Sequence, residues 1–161
     1  MSIFDELGIR ENKGRLKEEI LYNLGACYVL AEKEISRVLS GFNLSPVKMN
    51  ALLIIKHVGK HKGMSQSEIA KKMIVTAGNI TRLLDRLEKD GLIQRISLEG
   101  DRRVNLIKIT AKGSGPLDKA WPIYDKKVDE IISLSHSNIA RMVPNLNELR
   151  RNLSGSATRT N

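Results

Sequence analysis

The sequence predicts a mainly α-helical fold: a winged helix-turn-helix between long N- and C-terminal helices, which form an intertwined dimerisation domain with a second copy. Three observations predict it. Residues 64–91 hold two short amphipathic helices joined by a tight turn. Residues 93–109 read as two short strands around a polar tip, a small β-hairpin wing. Residues 15–40 and 111–153 repeat apolar side chains at helical spacing over lengths that strands do not reach.

Residues 1–14 are polar except for Ile3, Phe4 and Leu7, and read either as a short arm packing on a partner subunit or as a frayed end. From Arg15 to Ser40, the series Leu16, Ile20, Leu24, Ala31, Ile35 and Leu39 predicts a long helix, broken by Gly41-Phe42-Asn43. Ser45-Pro46 is a helix start, with Ser as N-cap and Pro at the first helical position, and the helix should reach about Val58. Gly59 to Gly63 is a basic turn leading to Met64, expected as a short strand beside the wing.

Ser65 and Glu68 form a capping box that opens the first helix of the motif, with Ile69, Ala70 and Met73 as its apolar face. The second helix should start near Thr76, bury Ile80, Leu83, Leu84 and Leu87, and end at Gly91. Strands are predicted over Ile93–Ser97 and Val104–Ile109, with residues 98–103 as the tip. Thr110 caps a further helix from Ala111 to about Ser133, which Pro122 should bend. A last helix, Ser137 to Leu153, should kink at Pro144, and residues 154–161 read as a disordered tail. The end helices cannot bury their apolar stripes on so small a lobe. Residues 1–44 and 114–153 are therefore expected to form a helical dimerisation region around a lobe at 45–113.

The net charge is +9, and its distribution matters more than its size. Between Pro46 and Gly113 stand 14 Lys or Arg against 6 Asp or Glu, while the two flanks are nearly balanced. A basic excess concentrated on a helix-turn-helix and wing points to double-stranded DNA. One cysteine, Cys27, excludes an intramolecular disulfide and suits a reducing cytoplasm. The charged start, MSIFDELGIRENKG, is not expected to be a signal peptide, and no run approaches the ~20 apolar residues of a membrane span. A Gly-rich phosphate loop, a nucleophile motif and a metal-ligand spacing are all missing, with His57, His61 and His136 scattered. An enzyme, a cofactor and a metal are therefore not expected.

Two motifs carry a resemblance. Arg86-Leu87-Glu88 followed by Gly91-Leu92-Ile93, and Asp101-x-Arg103 followed by Ile107-x-Ile109-Thr110-x-x-Gly113, are similar to the MarR family of winged helix-turn-helix transcription regulators. The resemblance implies a homodimer, most often a repressor, that binds a pseudo-palindromic operator. It also implies a small aromatic or anionic effector held between the helical region and the winged lobe.

The second helix should enter the major groove by its first turns. Ala77 and Gly78 permit close approach, while Thr76, Asn79, Thr81 and Arg82 can reach base edges or phosphates. Thr76 reads equally as an N-cap, and Thr81 as bonded back to its own helix. The resemblance makes Arg86 a phosphate clamp; a salt bridge with Asp85, Asp90 or a wing carboxylate is the compatible alternative. Ser65, Gln66 and Ser67 are placed to donate to phosphate. In the wing, Arg103 would enter the minor groove, Asp101 would hold its guanidinium, and Arg102 would contact phosphate. Candidate effector-lining residues are Tyr22, Met49, Leu53, Trp121 and Tyr124, each equally readable as core. Cys27 reads as a buried inert cysteine, because the tyrosines of the family's peroxide-sensing branch are missing; a redox regulator acting through it is the alternative. A winged helix serving as a protein-interaction module remains the other reading. An apolar rather than basic helix face would favour it.

Overall fold

The computed structural model describes residues 2–9, 15–73, 77–98 and 101–157, and at positions 77, 78, 98, 101–104, 156 and 157 the backbone only. In chain order these form α1 (Ile3–Glu6), α2 (Leu16–Ser40), α3 (Pro46–His57), α4 (Gln66–Lys72), α5 (Ala77–Lys89), β1 (Ile93–Leu98), β2 (Asp101–Ile109), α6 (Ala111–Ile131) and α7 (His136–Ala157). The fold is mainly helical with one two-stranded antiparallel hairpin. Two compact units divide it, residues 1–128 and 129–161.

The local start signals work as the sequence dictates. Ser45 Oγ accepts the Lys48 N–H, with Pro46 at the first helical position. In α4 the Ser65 hydroxyl accepts the Glu68 N–H at 3.3 Å, while Glu68 Oε2 accepts the Ser65 N–H at 2.8 Å. Met64 pairs with β2 as an isolated bridge to Ile107, bonded in both directions.

One core runs through the first unit. Leu39 from α2, Leu52 and Ile55 from α3, Ile69 from α4, and Leu84 and Leu87 from α5 are fully buried, as are Ile93, Ile107 and Leu117. Gly91 adopts φ +74°, which frees the chain to leave α5 and turn directly into β1. Thr110 then locks this corner: its N–H donates to the Leu92 carbonyl at 3.0 Å and its hydroxyl to the Gly91 carbonyl at 2.7 Å. Gly113 completes it, because a Cβ there would stand 2.1 Å from the Leu92 carbonyl oxygen.

Several expectations are corrected. The hairpin is longer than predicted, with Leu98 in β1 and Asp101, Arg102 and Arg103 in β2, so only Glu99 and Gly100 of the expected tip separate the strands, outside the described residues. Strand identity was hidden there because the residues of the tip are mostly charged and show no apolar alternation. The ladder is irregular at that end. Ser97 pairs with Asn105 but Leu98 pairs with Asp101, so Arg102 to Val104 bulge from the ladder.

Residues 3–6 of the N-terminal segment form a short helix that packs on its own chain. Ser2 caps α1 and donates to Glu19 Oε1 at 2.7 Å, and Phe4 is buried edge-on against Tyr22 of the same chain. Residues 10–14 lie outside the described ones. At the other end, α7 continues to Ala157, where a tail was expected from Ser154; the Ser154 hydroxyl bonds back to the Arg150 carbonyl within the helix. Residues 158–161 lie outside the described ones.

Cys27 is exposed in the protomer rather than buried. The reason is that much of α2 stands uncovered, including Leu16, Ile20, Leu21, Tyr28, Val29 and Leu30. In the second unit, α7 is likewise open at Met142, Val143, Leu146 and Leu153. Among the described residues no helix is long and apolar enough to cross a membrane, and no group of three His, Cys, Asp or Glu could hold a metal.

Candidate nucleic-acid interface

The site is built on α5. Ile80, Leu84 and Leu87 anchor one face of this helix in the core. At 100° per residue that places Asn79, Arg82 and Arg86 together on the opposite side, and all three are exposed. Among the described residues neither Arg82 nor Arg86 forms an ion pair. Of the partners expected for Arg86, Asp85 holds Arg95 and Asp90 holds Lys48, while the side chains of the wing carboxylates Glu99 and Asp101 lie outside the described residues. Arg86 acts on Asp90 only at longer range, as a lesser contribution to its lowered pKa.

The preceding helix is tied to this face. Gln66 Nε2 donates to Thr81 Oγ1 at 2.8 Å, so two of the expected DNA-contacting side chains meet each other. Ser65 is engaged in its capping box and lies 3.1 Å from Ser67 Oγ. Thr76 lies outside the described residues. Ala77 and Gly78 are the first two residues of α5, and Asp101, Arg102 and Arg103 open β2; of all five only the backbone is described.

One residue that matters here was missed by sequence reading. Arg95 on β1 joins the wing to α5 by two carboxylates: its guanidinium donates to Asp85 Oδ1 at 2.6 Å and to Glu88 Oε2, while its backbone N–H donates to Glu88 Oε1 at 3.2 Å. The bond to Asp85, above all, raises the Arg95 pKa; the Glu88 charge adds to it and partial burial opposes it. Wing and α5 are thereby held in one orientation. A partner ten residues away leaves no helical-spacing signal, which is why the sequence hides it. Lys48 Nζ to Asp90 Oδ2 at 2.8 Å fastens the start of α3 to the end of α5 in the same way. That bond, with the Lys48 charge, holds the Asp90 carboxyl below the usual carboxylate range.

The five effector candidates are not one cluster. Met49 is buried in the core, with Leu53 and Tyr124 packed against it. Trp121 is partly exposed, its ring 5.6 Å from that of Tyr124, while Tyr22 is occupied by Phe4.

This arrangement, a core-anchored helix presenting a polar face beside a braced wing, has known counterparts. Residues 46–104 match the sequence profile of the MarR family. That segment is therefore a MarR-family domain. A curated relative, the HTH-type transcriptional regulator MhqR of Bacillus subtilis, is 29% identical over 111 residues, which are 69% of this chain and 74% of MhqR. Among solved structures, a mutant MarR from E. coli in complex with operator DNA has a TM-score of 0.73 at 20% identity, over 80% of this chain and 91% of that one. The organohalide-sensing regulator RdhR, in its 2,4-dichlorophenol-bound form, has a TM-score of 0.79 at 19% identity, over 88% and 86%. MarR-family proteins are regulators rather than enzymes. At these identities the two structures establish the fold alone.

Proposed function

We propose that this chain is a homodimeric, sequence-specific DNA-binding regulator, a repressor that holds a pseudo-palindromic operator in the cytoplasm and releases it when a small aromatic or anionic effector binds. The observation that carries the reading is the α5 face. Asn79, Arg82 and Arg86 are exposed on a helix locked in place from behind, within the segment that holds 14 basic residues against 6 acidic. Guanidinium and amide groups suit base edges and phosphates. An interaction module would present an apolar patch instead.

In this reading Arg82 and Asn79 reach into the major groove from the N-terminal turns of α5, and Arg86 clamps phosphate. Thr81 and Gln66 approach the backbone as a bonded pair, with Ser65 and Ser67 beside them. Thr76, Ala77 and Gly78 meet the groove at the helix start. Asp101, Arg102 and Arg103, on the bulged end of the wing, reach the minor groove and its phosphates. Residues 45–113 are the reading lobe.

Residues 1–44 and 114–153 form the dimerisation region, a role supported by the uncovered apolar side chains of α2 and α7. A two-fold axis would then match the symmetry of a palindrome. That MarR of E. coli was crystallised with operator DNA, and RdhR with 2,4-dichlorophenol, supports both the operator and the effector.

The test is duplex binding by fluorescence anisotropy at several salt concentrations. Arg86→Ala should weaken binding and lower the salt slope by about 1 for the lost phosphate contact. Asn79→Ala should instead relax the preference at one or two base pairs, by ~1–3 kcal/mol. If both variants bind operator and random duplex as the parent does, α5 is not the reading helix.

A further inference from the structure

A second concave site opens on the winged lobe, lined by the turn from Val58 to Met64 and by Glu68, Lys71 and Lys72 of α4, with a volume of about 680 Å³. Those α4 residues lie on the side of the helix opposite Gln66, the residue that bonds α5. None of the five effector candidates lines it.

The walls are built rather than loose. Gly63 N–H donates to the Gly59 carbonyl at 2.9 Å, and Met64 is bonded to Ile107 of β2 at 3.0 and 2.7 Å. A Cβ at Gly59 would stand 2.6 Å from the Ile55 carbonyl and 2.9 Å from Met64 Cγ, so the turn is packed hard on the end of α3. Lys60 takes a left-handed conformation, φ 45°, which few non-glycine residues adopt without tertiary support.

The charge is one-sided. Lys60, Lys62, Lys71 and Lys72 are placed around the cavity against a single carboxylate. Among the described residues no carboxylate forms an ion pair with any of the four. Glu68 is committed to the α4 capping box, where it accepts the Ser65 N–H and hydroxyl at 2.8 Å each. Four lysines around one cavity exceed what one carboxylate offsets, and Lys recognises phosphate and carboxylate as point charges without a fixed approach. The volume falls in the range of small-molecule sites.

We propose that this cavity binds a compact polyanion, a small molecule carrying two or more phosphate or carboxylate charges. Concavity, and a position opposite the α5-facing side of α4, favour a small anion over the duplex read by α5.

The experiment is calorimetric titration of the full chain, in anion-poor buffer, with inorganic pyrophosphate and separately with citrate; together they separate phosphate from carboxylate chemistry. At least one should bind saturably. Lys60→Gln/Lys71→Gln should weaken it tenfold or more, while Lys33→Gln/Lys126→Gln, which removes the same charge elsewhere, should leave it unchanged. Amide resonances of Gly59, Lys62 and Lys72 should move on titration, and thermal melts should show both variants folded. The proposal is overturned if neither anion saturates, or if the control pair weakens binding as much. It is also overturned if the cavity pair leaves anion binding intact while weakening duplex binding tenfold, since those lysines would then belong to the DNA interface.

Discussion

Replacing Gly113 by Ala should destabilise the protein, although the same change ordinarily stabilises a helix. Gly113 lies in the first turn of α6 and is buried. An added Cβ would meet the Leu92 carbonyl oxygen at 2.1 Å, the Leu92 carbonyl carbon at 2.9 Å and Ile109 Cγ1 at 3.0 Å. The nearest atom is backbone and must retreat by more than an ångström to reach ordinary contact. Overpacking of this kind costs ~1–3 kcal/mol. The retreat also disturbs the 3.0 Å bond from Thr110 N–H to that carbonyl, a further ~0.5–1.5 kcal/mol. Against these stands a helix-propensity gain of about 1 kcal/mol. The net is a loss of roughly 0.5–3.5 kcal/mol, or about 1–14 °C in Tm at ~2–4 °C per kcal/mol for a chain of this size. Circular dichroism melts at one fixed protein concentration read the shift, since an oligomer's Tm depends on concentration. If Gly113→Ala melts at or above the parent, the reading of the α5–wing–α6 corner is wrong.

Arg95→Ala removes both carboxylate ties between wing and α5. These are partly solvent-exposed charge-assisted bonds, so stability should fall by only ~1–2 kcal/mol. Operator affinity should fall by more than tenfold because the wing loses its orientation, and anisotropy measures it; equal affinity would remove Arg95 from the site. Lys48→Met should lower Tm at neutral pH through loss of the Asp90 pair. Asp90 has a depressed folded pKa, so its contribution is complete above the unfolded value of ~3.9 and disappears as pH falls through the folded one. The gap between Lys48→Met and parent should therefore close below about pH 4 in melts across pH. A gap that stays constant far below that point would assign the effect to packing.

What could be read from the sequence was whatever acts within a few residues. The Ser45 and Ser65 caps, the turn at Gly91 and the apolar stripe of α5 are local signals, and each appears where its chemistry demands. Concentration of basic residues between Pro46 and Gly113 was likewise visible without coordinates. Long-range partners were not. Arg95 looked like any polar residue of a strand, and its role exists only because the hairpin lays it against Asp85 and Glu88. Gly113 was recognisable as part of a family motif, but the reason for it, a carbonyl at 2.1 Å, is tertiary. Phe4 reads as an arm residue until Tyr22 is placed beside it. Cys27 was misjudged because apolar periodicity shows that a helix face is meant to be covered without saying by which chain.

The central claim is that α5 and the wing read a symmetric DNA site. Selection from a random duplex pool at physiological salt, with parent, Arg82→Ala and Arg103→Ala proteins in parallel, tests it most directly. The parent should enrich one pseudo-palindrome, with half-site centres about one helical turn apart (~10 bp), and both variants should lose that enrichment. Failure of the parent to enrich any sequence, or the same palindrome emerging undiminished from both variants, would contradict it.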